Sequence, residues 1–238
     1  MDDGNAATAN AMMMDRRSLL IKGLGAGLAL SALSLPALAK AAISGVPADG
    51  KLVFQVWRQG GHIGEHALMF QQDGDDLTVQ IDVHILIKIG PVPVARYTQS
   101  CKEHWSGGQF QSLDALSHQT PGSKQHTTAR RTADGIYIEP ASGQPYTVSS
   151  DTLPMSHWNR QDMRAPLFNP QDGKILKESG RVLKGEEIIK LADGSSIKAT
   201  RYAVTGDAAV DDWYDANNVW TALHGRVVDG SYIDYLRL

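Results

Sequence analysis

"LTVQIDVHILIKI" occupies residues 77–89, and its parity decides the fold. Leu77, Val79, Ile81, Val83, Ile85, Ile87 and Ile89 hold the odd positions. Thr78, Gln80, Asp82, His84 and Lys88 hold even ones, with Leu86 the single break. A period of two places alternate side chains on opposite faces of a strand. At about 3.3 Å per residue the stretch spans about 43 Å, far longer than an ordinary strand of roughly five or six residues. Such length suits a tall, bent sheet, and the odd face is expected to form the inside of the curve. That inside is either filled by side chains or open to a guest.

The rest of the chain beyond residue 50 supports a sheet. Asp-Gly pairs recur at 49–50, 73–74, 134–135, 172–173, 193–194 and 229–230, and Gly-Gly at 60–61 and 107–108. These supply the positive φ angles of tight hairpins. Between them the period-two runs predict strands near 51–59, 63–72, 77–89, 93–105, 109–118, 125–133, 136–139 and 145–149. Five more are predicted near 175–191 (broken around Gly185), 197–205, 211–214, 218–227 and 231–237. A 3.6 period is nearly absent; the exception is a short helical stretch near 156–163, with Ser156 as a candidate cap. Consecutive strands on short turns imply antiparallel pairing. So many strands in one sheet must curl or close. The expected fold is all-β: a strongly curved antiparallel meander or a flattened β-barrel. Pro91 and Pro93, just past the long strand, mark an edge or a sharp corner.

The first residues read differently. Arg16 and Arg17 precede a 17-residue uncharged run, Gly23 to Ala39, that carries three Gly and one Pro and ends in Ala37-Leu38-Ala39. This layout is that of a twin-arginine export signal with an A-x-A cleavage site. The run is short of the roughly 20 strongly apolar residues that span a membrane. The organisation expected is an export signal over 1–39, a linker over 40–50 and one β domain over 51–238. The product would reside in the periplasm, reached through the export machinery that reads Arg16 and Arg17, and would be membrane-anchored if the signal stayed uncut. Met12, Met13 and Met14 offer an internal start.

Charge and cysteine content narrow the classes. The formal net charge is −3. Removal of 1–39 takes three bases (Arg16, Arg17, Lys22) and three acids (Asp2, Asp3, Asp15), so the balance is unchanged. No basic stripe for nucleic acid results. One cysteine, Cys101, excludes an internal disulfide, a CxxC redox pair, iron–sulfur ligation and c-type haem attachment. It reads as a small buried side chain. The eight histidines show no ligand spacing: His62 and His66, four apart on a strand, lie about 13 Å from each other. Neither a metal nor another cofactor is expected. The adjacent carboxylates Glu186-Glu187 and Asp211-Asp212 face opposite sides of their strands and read as solvated edges.

Two polar–aromatic clusters stand out. "LPMSHWNRQDM", residues 153–163, contains His157, Trp158 and Asn159; "DDWYDANNVW", residues 211–220, contains Trp213, Tyr214, Asp215 and Trp220. Aromatic rings with polar tips suit a pocket mouth or partner surface, so His157, Trp158, Asn159, Trp213, Tyr214 and Asp215 are the candidate ligand-binding residues. The structural alternative is a plug whose Trp158 closes one end of the barrel, beside a strand with an Asn-Asn turn.

"LPMSHWN", "LFNPQDGK", "RYAVTGD" and "DDWYDANNVW", in that order, resemble a family of uncharacterised exported proteobacterial β-rich proteins, a domain of unknown function, over roughly residues 50–238. A fainter similarity is to another uncharacterised periplasmic β-rich family and, at the level of fold, to the half-barrels of lipoprotein-carrier proteins. The resemblance implies no established activity and carries no catalytic residue. Together these features point to a non-enzymatic exported protein that binds an apolar small molecule or lipid, or scaffolds a protein partner. The alternatives are an accessory subunit of a membrane or periplasmic complex, or a hydrolase built on His157 and Asp215.

Overall fold

The computed structural model describes residues 43–207, 209–227 and 229–238, all within the unit Lys40–Leu238. The export-type leader lies outside the described residues. Eight strands come first: β1 (Lys51–Arg58), β2 (Gly61–Asp73), β3 (Asp76–Ile89), β4 (Val92–Ser106), β5 (Gln109–Thr120), β6 (Lys124–Thr132), β7 (Gly135–Glu139) and β8 (Tyr146–Val148). A crossover over 149–177 carries the two-residue strands β9 (Leu153–Pro154) and β10 (Leu167–Phe168). The last five are β11 (Glu178–Lys190), β12 (Ser196–Gly206), β13 (Val210–Tyr214), β14 (Trp220–Arg226) and β15 (Tyr232–Arg237).

Apart from β9 and β10, these form one 13-stranded antiparallel sheet, ordered β11-β12-β13-β14-β15-β1-β2-β3-β4-β5-β6-β7-β8. Each strand predicted from the sequence has its counterpart there, and the break near Gly185 is a register shift between Leu183 and Gly185. The parallel pair β9–β10 was not expected. β8 and β11 are the two edges, so among the described residues the sheet curls without closing. Further register shifts at Val56/Trp57, Ile87/Lys88, His104/Trp105 and Trp213/Tyr214 are the local bends that such a curl requires.

The inside of the curl holds one core. Its centre is aromatic: Phe54, Trp105, Phe110, Trp158, Phe168, Tyr214 and Trp220 are all fully buried. Trp158 and Phe168 come from the crossover, which lies across the concave face as a plug. The helical turn is a single 3-10 turn at Arg160–Met163, and Asn159 rather than Ser156 caps it, its Oδ1 accepting the Gln161 N–H at 3.0 Å. Residues 43–50, read as linker, also lie against the domain: Ile43 and Val46 pack on the core, and the Gly50 carbonyl accepts the Phe70 N–H at 2.8 Å.

The odd face of β3 does line the inside, but it changes character along its length. Leu77 and Val79 are sealed in the core, Ile81 and Val83 are buried, Ile85 and Ile87 are half-buried, and Ile89 is 72 % exposed. The pairing explains this gradient. β2 stops supporting β3 at Gly64 opposite Ile85, and β5 stops supporting β4 at Thr120 opposite Arg96. The β3–β4 hairpin therefore overhangs its neighbours, and Pro93 falls in that overhang, where its missing N–H breaks no ladder to β5. Gly64 is obligatory at the start of the overhang, since a Cβ there would lie 1.9 Å from the His84 carbonyl oxygen.

Candidate functional site

The crossover approaches the sheet at Met155 to Met163, and its backbone sets the site. His157 adopts φ 66°, a left-handed conformation uncommon for a residue with a Cβ. The Asp162 carboxylate holds that turn, accepting the N–H groups of Ser156 and His157 at 3.2 and 3.1 Å. Tyr214 fixes it from the sheet by donating its hydroxyl to the His157 carbonyl at 2.8 Å. As a result the two neighbouring rings diverge. Trp158 descends into the core and donates its indole N–H to Glu103 at 3.0 Å, while His157 reaches β13.

The His157 ring is bound from two sides. Its Nδ1 lies 3.0 Å from Asp212 Oδ2, and the ring stacks on Trp220 with centroids 5.2 Å apart. The other Asp212 oxygen accepts the Trp220 indole N–H at 2.9 Å. Burial works against a charged His157, but the charge and hydrogen bond of Asp212 outweigh it and raise the imidazole pKa. Below lies Glu103, fully buried, whose Oε2 accepts indole N–H groups from both Trp105 and Trp158. Burial raises its carboxyl pKa against the pull of those two donors. Asp162 is raised well above the carboxylate range by burial and by the nearby Glu103, with His157 opposing.

Beside this network stands His66 on β2. It is 6 % exposed, both ring nitrogens lack a partner among the described residues, and burial, assisted by His157, lowers its pKa to about 3. Its ring is edge-on to Trp220 and Tyr235, at 5.4 and 5.5 Å. His66, His157, Tyr97, Gln99, Cys101 and Tyr235 are among the walls of a half-enclosed cavity of about 270 Å³. A second, mainly apolar cleft of about 380 Å³ opens further along the same sheet face; Ile63, Ile85, Ile87, Ala95, Tyr97 and Ile233 line it, together with Arg96 and the Arg58–Asp229 ion pair. Tyr97 belongs to both. The inner face of β3 thus runs from core, past Ile81 and Val83 in the first cavity, to Ile85 and Ile87 in the second.

Of the residues singled out from sequence, His157 lines the cavity and Tyr214 supports it from behind. Trp158 and Asn159 are buried structural members, one plugging the core and one capping the 3-10 turn. Trp213 faces the other side of the sheet, packing on Ala199 and Ala222 and donating to Glu187 at 3.1 Å. Asp215 is engaged in its own turn, accepting the N–H groups of Asn217 and Val219, with Arg237 at 3.9 Å. The carboxylate hydrogen-bonded to His157 is Asp212. Asp212 itself corrects the sequence reading, for it is fully buried rather than a solvated edge. The sequence does carry a signal for the residues it failed to nominate. His66 shares inward parity with Leu68 and Phe70, and Glu103 with Cys101 and Trp105.

Cys101 is a buried thiol whose pKa burial pushes up, the opposite of a nucleophile's requirement. Among the described residues no group of three or more His, Cys, Asp or Glu side chains could hold a metal ion. No helix among them is long and apolar enough to cross a membrane.

Comparison with known proteins agrees with this architecture. A family model described as Domain of unknown function (DUF6134) matches residues 54–238. A search of curated proteins finds no match. Among solved structures, a beta-barrel-like protein of Domain of Unknown Function DUF1849 from Brucella abortus is similar, with a TM-score of 0.57 at 6 % identity, covering 79 % of this chain and 94 % of that one. At that identity the likeness concerns the fold.

Proposed function

The chain belongs to this family of domains of unknown function, and on the geometry of its own site we propose that it is an exported, non-enzymatic periplasmic protein that holds an apolar or amphipathic molecule in the mouth of its curled sheet. The observation that carries this reading is the inner face of β3. Ile85 and Ile87, with Ala95 and Ile233, line a cleft that no side chain of the crossover fills. Half-enclosed apolar concavities with a few convergent polar groups are the usual form of small-molecule sites. Export rests on the paired Arg16 and Arg17 and the uncharged run after them. The test is native mass spectrometry of the protein purified from the periplasm and re-exposed to a lipid extract after delipidation. A reproducible bound mass that returns on re-exposure is expected. A protein that stays bare under both conditions overturns the reading.

A second role, as an accessory subunit, is favoured by one feature. β11 is an edge strand with Leu183 60 % and Ile188 70 % exposed. Unpaired apolar edges are templates for another chain. Crosslinking in periplasmic and membrane fractions from a photoreactive residue at Leu183 should then capture a protein, and an empty result in both discards that role.

A further inference from the structure

Building on the ligand-holding reading, we propose that the molecule in the cleft is an amphiphile with an uncharged hydroxyl or carbonyl head, and that His66 hydrogen-bonds this head at the inner end of the cleft.

His66 is a polar side chain buried with nothing to bond. Among the described residues neither ring nitrogen has a partner, although the ring sits among Phe54, Trp220 and Tyr235 in the aromatic core. Buried polar groups in native proteins are nearly always satisfied, and an exception calls for an explanation. The ring lines the 270 Å³ cavity, so that is the side from which a partner can come. A neutral imidazole offers one donor and one acceptor. A hydroxyl offers the complementary pair, and a carbonyl accepts the donor.

The walls decide against an ion. At neutral pH His66 is held uncharged by burial, Cys101 stays a thiol, and burial and Asp212 push Tyr235 up to about 12. The His157 charge nearby is already matched by Asp212. Asp207, which also lines the cavity, is exposed and accepts the Lys177 N–H at 3.0 Å. Against the buried His66 ring a carboxylate or ammonium head would give up its hydration for neutral neighbours, which is far costlier than the same transfer for a hydroxyl. From Val83 beside His66 to Ile87 at the mouth, β3 extends about 13 Å. That leaves room for an alkyl chain passing Tyr97, which belongs to both cavities.

Titration calorimetry of the purified protein with 1-decanol, decanoate and decyltrimethylammonium tests this, because the three share one chain and differ in the head. Wild type should bind 1-decanol about tenfold tighter than either ion, the worth of roughly one well-made hydrogen bond. His66→Leu should erase that preference, and His66→Gln, which keeps a donor and an acceptor, should retain most of it. Equal affinities for the three probes overturn the assignment of the head while leaving the cleft reading in place. The assignment is overturned in the same way if an ion binds best, or if His66→Leu keeps the 1-decanol preference because water alone serves the ring. If none of the three binds wild type, the cleft reading itself fails.

Discussion

His157 Nδ1 lies 3.0 Å from Asp212 Oδ2, joining the crossover to the sheet across 55 positions of sequence. The second Asp212 oxygen holds Trp220 at 2.9 Å, so one carboxylate fixes both the stacked imidazole and the indole beneath it.

Removing that carboxylate should therefore loosen the plug. Asp212→Ala leaves a buried indole N–H and an imidazole unpaired and should cost about 3 kcal/mol, read from urea midpoints. The pair also sets a pH dependence. Because Asp212 raises the His157 pKa, its stabilisation is fully present below the unfolded value of about 6.5 and is lost as pH rises through the folded value. Wild-type stability should fall more steeply than that of Asp212→Asn on going from pH 6 to pH 9. Parallel curves would contradict this.

His66 predicts the opposite sign on the acid side. Its pKa is lowered to about 3, so its contribution is present above about 6.5 and is lost as pH falls below that value. In that window the unfolded chain binds a proton that the folded one refuses, a slope of at most about 1.4 kcal/mol per pH unit. His66→Leu should be at least as stable as wild type at pH 7.5 and lose clearly less stability on acidification to pH 4.5. An unchanged acid sensitivity would show that the imidazole is not the group that resists protonation.

Glu103 anchors Trp105 and Trp158 through a single oxygen. Glu103→Ala strands two buried indole donors, each worth roughly 1–3 kcal/mol, so a loss of about 4 kcal/mol is expected in chemical denaturation. A loss below about 1 kcal/mol would mean that the indoles find other acceptors.

How much of this is legible in the sequence follows from what each signal depends on. Strand positions depend on parity and turn residues, both local, so β3 and its neighbours can be read directly from alternation and Asp-Gly pairs. The crossover's role is half legible: a break in alternation at 153–163 marks it, and Trp158 suggests a plug. The partner of His157 is not legible, because Asp211, Asp212 and Asp215 look equivalent until register is known. Register puts Asp212 opposite Tyr202 and Leu223 on the inward face, leaving Asp211 outward beside Arg201. The pairing β15–β1, which brings Tyr235 beside Val56, joins the two ends of the domain and has no local signature at all.

The proposal of export rests on Arg16 and Arg17, two residues outside the described part of the chain. Arg16→Lys together with Arg17→Lys should hold most of the protein in the cytoplasm, measured by fractionation and immunoblot, since the pair is read by a receptor rather than by hydrophobicity. Undiminished periplasmic protein would assign the leader to another route.

Ligand holding stands or falls with the inner face of β3, which runs out of core and opens as an apolar cleft at Ile85 and Ile87. Ala95, opposite Ile87 on β4, is half-buried at the mouth and can carry a larger side chain without entering the core. The decisive quantity is the Kd of the uncharged fluorophore N-phenyl-1-naphthylamine for wild type and for Ala95→Trp. Weakening of about tenfold or more is expected in the variant, with an unchanged denaturation midpoint. Equal Kd values in the two proteins would show that the cleft at Ile85 and Ile87 is not where the molecule sits.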